Sequence, residues 1–216
     1  MIKDFSFLFH KDFDEDEYLS YCEKRVENRK LNLTSSPVAF RDIPQEKLIV
    51  ISPVASFSSK RWPMENVRSL LKMILANEIY KDFKIAIIAG PEDKYCTEIF
   101  DDELAQNNRV LNLQGKLSIT ESSEYIAKSQ ICITNDTGSL HIAESLGVKV
   151  IAMFGPTSES FGFRPHLKDS KSLSVKLSCR PCSNTGSKKC FRDQHYCMIN
   201  ILPEKVYQTF LQMMDH

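Results

Sequence analysis

Glycine is scarce in this chain: seven in 216 residues, and none before Gly90. The opening stretch therefore lacks the punctuation that the tight loops of a compact α/β unit use. Net charge is also lacking, with 28 basic residues against 28 acidic ones. That balance excludes bulk attraction to nucleic acid or to an anionic membrane surface. Long hydrophobic runs are missing too. The apolar run from Phe5 to Phe9 is too short for a signal sequence and leads into an acidic cluster, so neither a secretory signal nor a membrane span is read. No internal repeat or low-complexity segment occurs. The seven cysteines are an odd number, and Cys132 lies within an apolar run. A reducing, cytoplasmic setting fits that usage.

What is present is ordinary globular composition, 42% hydrophobic and 26% charged. Residues 1–45 stand apart. "DEDEYLSYCEKRVENRKLNL" predicts one charged helix, and "TSSPVAFRDIPQ" predicts an extended linker. Residues 46–216 form the second unit. Here "LIVIS" (Leu48–Ser52), "KIAIIAG" (Lys84–Gly90), "RVLNLQG" (Arg109–Gly115), "ICITND" (Ile131–Asp136) and "KVIAMFG" (Lys149–Gly155) have the length and character of buried strands. Between them lie helical patterns. Val67, Leu70, Leu71 and Ile74 share one face of "PMENVRSLLKMILAN", with Pro63 suited to a first helical position. "PEDKYCTEIFDDELAQ" predicts a helix, and Ser118 and Glu121 have capping-box spacing before another. "SLHIAESLG" predicts a helix ended by Gly147. A closing helix starts near Pro203, with Val206, Phe210 and Met213 on one side. Strands alternating with helices predict a parallel, doubly wound α/β sheet of Rossmann type with helices on both faces. Such sheets bind ligands beyond the C-terminal ends of their strands.

Several junctions at those ends carry chemistry. The tetrapeptide Asp136-Thr137-Gly138-Ser139 matches the catalytic loop of aspartic proteases. Those enzymes need two such aspartates on an all-β frame, whereas this copy follows a buried strand and opens a helix. A helix start attracts phosphate through its unpaired N–H groups and positive dipole end. Gly138 permits close backbone approach, and Thr137 and Ser139 offer hydroxyls. Asp136 repels a phosphate if it points at one, so it is expected to cap the helix or to accept hydrogen bonds from a sugar. His141, in the first turn, is either a ligand-side group or a satisfied structural histidine. In "SPVASFSSKRWP", Lys60 can neutralise a diphosphate leaving group; the plainer reading of Lys60 and Arg61 is a solvated basic pair. Trp62 is core, a base-stacking platform or a staple for the following helix. Glu92, in "AGPED", can accept hydrogen bonds from ribose hydroxyls. Cys179, Cys182, Cys190 and Cys197 form C-x2-C-x7-C-x6-C, a spacing compatible with structural zinc. A reduced cluster and a disulfide are the alternatives.

Taken in order, "KRWP" (Lys60–Pro63), "IIAGPED" (Ile87–Asp93), "LQGKLSITE" (Leu113–Glu121), "NDTGSLHIAESLG" (Asn135–Gly147) and "FGPT" (Phe154–Thr157) resemble glycosyltransferase family 9, the ADP-heptose:lipopolysaccharide heptosyltransferases. The cysteine-rich "CRPCSNTGSKKCFRDQHYCM" resembles that family's C-terminal segment. The resemblance implies the C-terminal, donor-binding half of a two-domain GT-B enzyme, inverting and metal-independent, with no cofactor. It implies ADP-heptose as donor and a lipopolysaccharide core as acceptor, in the cytoplasm or at the inner face of the membrane. On matching positions Ser56 and Lys60 would contact the diphosphate, Glu92 the ribose and Leu117 the adenine. Asp136, Thr137, Gly138 and His141 would hold diphosphate and sugar. The departures are plain. The family's general base lies near the start of an N-terminal half that these residues do not include, so a separate chain is one source for it. "SPVAS" replaces a loop glycine, with Ala55 where a hydroxyl is often found. A non-catalytic nucleotide-sugar-binding module is the competing expectation.

Overall fold

The computed structural model describes residues 47–215. The charged helix and linker predicted over 1–45 lie outside the described residues.

Six strands form one parallel sheet: β1 (Leu48–Ser52), β2 (Lys84–Ile87), β3 (Val110–Asn112), β4 (Ile131–Asn135), β5 (Lys149–Met153) and β6 (Lys171–Leu173). Their spatial order is β3-β2-β1-β4-β5-β6. Five were predicted, although β2 and β3 are shorter than read. β6 was missed, because a three-residue edge strand carries too few residues to show a period.

Every residue of β1 and of β4 is buried, and the two-residue side-chain period sorts them onto opposite faces. Ile49, Ile51, Ile131, Ile133, Ile151 and Met153 meet α1 (Met64–Ala76) and α6 (Pro203–Met214), through Val67, Leu70, Leu71, Ile74, Val206 and Phe210. Leu48, Val50, Cys132, Val150 and Ala152 instead meet Tyr125, Ile126, Leu140 and Ala143, on α3 (Ile119–Lys128) and α4 (Gly138–Ser145). Both faces are thus sealed, which is why these strands read as continuous apolar runs.

Helix ends follow local chemistry. Ser118 and Glu121 make the predicted capping box at α3. Pro203 occupies the first turn of α6, while Pro63 sits one place earlier than expected, at the N-cap of α1. Gly147 takes a left-handed φ of 66° after α4, as a helix-ending glycine should. The single helix predicted from Pro91 to Gln106 is two pieces, a 3-10 segment over Lys94–Ile99 and the short α2 (Asp102–Gln106). Asp101 causes the break: in extended conformation, its carboxylate accepts from Leu104 N at 3.0 Å and starts a new helix. The four-residue α5 (Tyr196–Ile199) precedes α6.

Candidate functional site

β1 and β4 are neighbours in space, while β2 and β3 grow away on the other side of β1. The order of the sheet reverses here, so the loops after β1 and β4 part and leave a crevice at the strands' C-terminal ends. Its floor is tied by side chains. Ser52 Oγ and Ser139 Oγ lie 2.7 Å apart. Buried Asn135 donates to Pro53 O at 2.8 Å and accepts from Trp62 N at 3.3 Å. These bonds fix where the loop after β1 can go, and a 3-10 turn over Ser58–Lys60 then turns Lys60 into the crevice.

The resulting cleft has a volume of about 280 Å³. Six residues singled out in the sequence line it together: Ser56, Lys60, Asp136, Thr137, Gly138 and His141. Sequence reasoning missed the rest of the lining. Phe57 belongs to the Ser56 loop, Phe163 follows β5, and Asn184 and Thr185 come from the cysteine-rich loop. Nothing local marks the last three, which arrive from distant parts of the chain. A more open groove of about 670 Å³, lined in part by Arg164, Lys176 and Arg180, lies beyond Thr157. Its volume is larger, but only a three-residue 3-10 segment starts among its lining residues, whereas α4 starts in the smaller cleft.

Lys60 Nζ lies 2.8 Å from Asp136 Oδ2, with side-chain exposures of 15% and 6%. Thr157 Oγ1 donates to the same carboxylate oxygen at 2.8 Å. Asp136 therefore does not cap α4, contrary to one expectation. Thr137 stands at the N-cap, and its side chain makes no capping bond. The helix start is thus left without a side-chain cap at the cleft. A methyl group built at Gly138 meets nothing within 4 Å. Internal packing does not demand glycine there, and the space beside the peptide is open to a ligand.

His141 is exposed and meets Phe163 edge-on, with ring centroids 6.1 Å apart. It is not a satisfied core histidine. Desolvation by the surrounding protein is the leading influence on it and holds its pKa below the ordinary histidine value, against the opposing pull of Asp136 and Glu144.

Glu92 and Leu117 do not line this cleft. Their loops, after β2 and β3, touch one another: Gly115 N donates to Ala89 O at 2.8 Å, beside Pro91. Glu92 is exposed, whereas Leu117 is half-buried against the α3–α4 core layer. The turn itself is closed by Asp93, which accepts from Gly90 N and from the Tyr95 hydroxyl, both at 3.0 Å. Both positions thus sit on the same rim of the sheet, displaced toward β2 and β3.

The remaining sequence candidates resolve as structure. Trp62 is core, 1% exposed, and its indole N–H donates to Ile201 O at 2.7 Å. Arg61 donates to Ala55 O at 2.9 Å, and its guanidinium lies 3.9 Å from the Tyr95 ring centroid. Neither member of the predicted basic pair is simply solvated. Cys179, Cys182, Cys190 and Cys197 are free thiols around one small cavity. Among the described residues, no group of three or more His, Cys, Asp or Glu side chains is placed to hold a metal ion. The C-x2-C-x7-C-x6-C spacing thus brings the four thiols to one cavity. Among the described residues, no helix is long and apolar enough to cross a membrane.

A six-stranded parallel sheet covered by helices, with a helix start at its switch point, defines a Rossmann-type α/β unit. Comparison with known proteins is more specific. Residues 1–191 match the family model "Glycosyltransferase family 9 (heptosyltransferase)", and the chain belongs to that family. Lipooligosaccharide heptosyltransferase 2 of Campylobacter jejuni is 32% identical over 76% of this chain and 50% of its own length. Among solved structures, ADP-heptose lps heptosyltransferase II of E. coli has a TM-score of 0.63 at 20% identity, covering 92% of this chain and 51% of that one. E. coli heptosyltransferase WaaC with ADP has a TM-score of 0.54 at 17% identity, covering 84% and 47%. These two likenesses support the fold, which they share with this sheet. The chain spans about half the length of the curated relatives it matches.

Proposed function

We propose that this chain supplies the donor-binding half of a heptosyltransferase-like glycosyltransferase. The donor is a nucleoside-diphosphate sugar, with ADP-heptose the preferred reading. The acceptor is a lipopolysaccharide core, met in the cytoplasm at the inner face of the membrane. One observation carries the proposal: Lys60, Asp136 and the uncapped start of α4 converge on one cleft at the switch point of the sheet.

Each group then has a task. The ammonium of Lys60 has three N–H donors, of which one faces Asp136. The other two serve phosphate oxygens, alongside the first amides of α4 and the hydroxyls of Ser56 and Thr137. Asp136 Oδ2 is held by Lys60 and Thr157, which offsets its repulsion of the diphosphate. Its Oδ1 is free to accept from a sugar hydroxyl. His141 and Phe163 wall the sugar side. Glu92 and Leu117, on the rim toward β2 and β3, receive the ribose and the base.

In the transfer an acceptor hydroxyl attacks the anomeric carbon. The bond from that carbon to the diphosphate oxygen breaks, and its electron pair leaves on the nucleoside diphosphate. Lys60 and the α4 amides stabilise that developing charge. The hydroxyl proton passes to a carboxylate outside the described residues, in this protein or in a separate chain. General-base help of this kind contributes roughly 10²–10⁴-fold.

Calorimetric titration with ADP, UDP and GDP tests the reading. ADP is expected to bind with the highest affinity. Failure of all three nucleotides to bind would overturn the site assignment.

A further inference from the structure

The Lys60 side chain runs beneath the turn formed by residues 183–187 of the cysteine-rich loop. Gly186 adopts φ 90°, a left-handed conformation suited to glycine. A methyl group there would lie 2.7 Å from Lys60 Cγ and 3.4 Å from Ser59 Oγ. The turn is tethered from below, because buried Ser59 donates its hydroxyl to Gly186 O at 2.6 Å. It is braced from within, because Ser183 Oγ accepts from Gly186 N at 2.8 Å. It is also anchored to the loop after β5, because Cys182 N donates to Pro156 O at 3.0 Å. The stem of Lys60 is thus fixed at three places: its backbone in the 3-10 turn, its carbons under Gly186, and its ammonium at Asp136.

We propose that this turn is a positioning clamp for the Lys60 ammonium, so that anion binding in the cleft depends on a loop distant in sequence from either cleft strand. The physical reason is entropic. A free lysine stem samples many rotamers, and freezing it on binding opposes the ligand. Here Gly186 confines the stem in the unliganded protein. The same turn presents Asn184 and Thr185 to the cleft, so holding Lys60 and closing the wall opposite Asp136 are one act. Two variants disturb the clamp differently. Gly186→Ala places a methyl group against mid-stem carbons that cannot swing aside while both ends are held. Ser59→Ala only cuts the tether.

The first readout needs no ligand. Amine-acylation rates at Lys60 are measured by mass spectrometry, with exposed Lys94 as internal reference. Both folded variants are expected to label Lys60 severalfold faster than the parent chain. The second readout is ADP titration in a double-mutant cycle with Lys60→Ala, and it rests on the donor reading above. Gly186→Ala is expected to weaken ADP by roughly tenfold, the worth of one charge-assisted bond, and to add nothing once Lys60 is absent. Unchanged labelling in both folded variants overturns the clamp whatever ADP does. An equal loss of ADP affinity with and without Lys60 overturns it as well. Faster labelling in a chain that never binds ADP upholds the clamp and removes the donor reading instead. If Gly186→Ala does not fold, Ser59→Ala decides both readouts.

Discussion

Replacement of Lys60 by alanine exposes the electrostatic logic of the cleft most directly. The wild-type ammonium does two things: it offers donors to a ligand, and it neutralises Asp136, whose side chain is only 6% exposed. Loss of one hydrogen bond from a charged donor costs about 1.5–3 kcal/mol, or roughly 10- to 150-fold in Kd. Here the loss should fall toward the upper end, because Lys60→Ala also leaves a carboxylate without its cation beside the bound diphosphate. That second effect acts on the folded protein too, since one uncompensated, largely buried charge remains. Lys60→Ala should therefore lower Tm. Asp136→Asn added to it should recover much of that Tm while leaving ADP binding weak. The assay pairs calorimetric ADP titration with thermal unfolding of the parent chain, both single variants and the double variant. ADP binding by Lys60→Ala as tight as the parent's refutes the leaving-group role. Recovery of ADP affinity along with Tm in the double variant shows that Asp136 repulsion, not the ammonium, governed binding.

Three further outcomes follow from the geometry. His141 should titrate below the ordinary histidine value in the free protein, because desolvation by the surrounding protein disfavours its charged form. A diphosphate beside it should raise that value, so diphosphate binding takes up a proton as pH falls through the interval between the two values; an imidazole NMR titration with and without ADP that shows no upward shift contradicts this placement. Arg109 donates to Phe83 O, Leu75 O and Tyr80 O at 3.2, 3.0 and 2.6 Å. Arg109→Lys cannot reproduce that fork, and urea unfolding should show a loss of about 1–3 kcal/mol as partly buried carbonyls lose their donors. Ser118→Ala should cost about 1 kcal/mol by the same assay through loss of the α3 cap, and should leave ADP binding intact.

Much of the fold was legible because it rests on short-range chemistry. Continuous apolar runs such as "LIVIS" and "ICITND" marked strands buried on both faces, the spacing of Val67, Leu70, Leu71 and Ile74 assigned the face of α1, and Ser118 with Glu121 marked a helix start. The stretch from Pro91 to Gln106 misled, since Asp101 can act either as a helix residue or as a cap, and only its pairing with Lys72 at 2.8 Å and its bond from Leu104 N select the second. Site residues were legible where they adjoin the end of a strand: Ser56 and Lys60 after β1, Asp136 to His141 after β4. Thr157 was marked only as part of "FGPT", and Phe163, Asn184 and Thr185 carried no local signal of a role in the cleft.

By itself the sequence determined five of the six strands, the faces of the main helices and which junctions lie on the sheet's rim, because apolar runs, helical spacing and capping depend on residues a few places apart. Only the tertiary structure decided that the Lys60 ammonium meets Asp136 rather than solvent, that Thr157 shares that carboxylate, and that Gly186 covers the lysine stem. Those contacts depend on the register of β1 against β4 and on where the cysteine-rich loop returns to the sheet. Such geometry is set by the packing of the whole core and is written in no single stretch of chain.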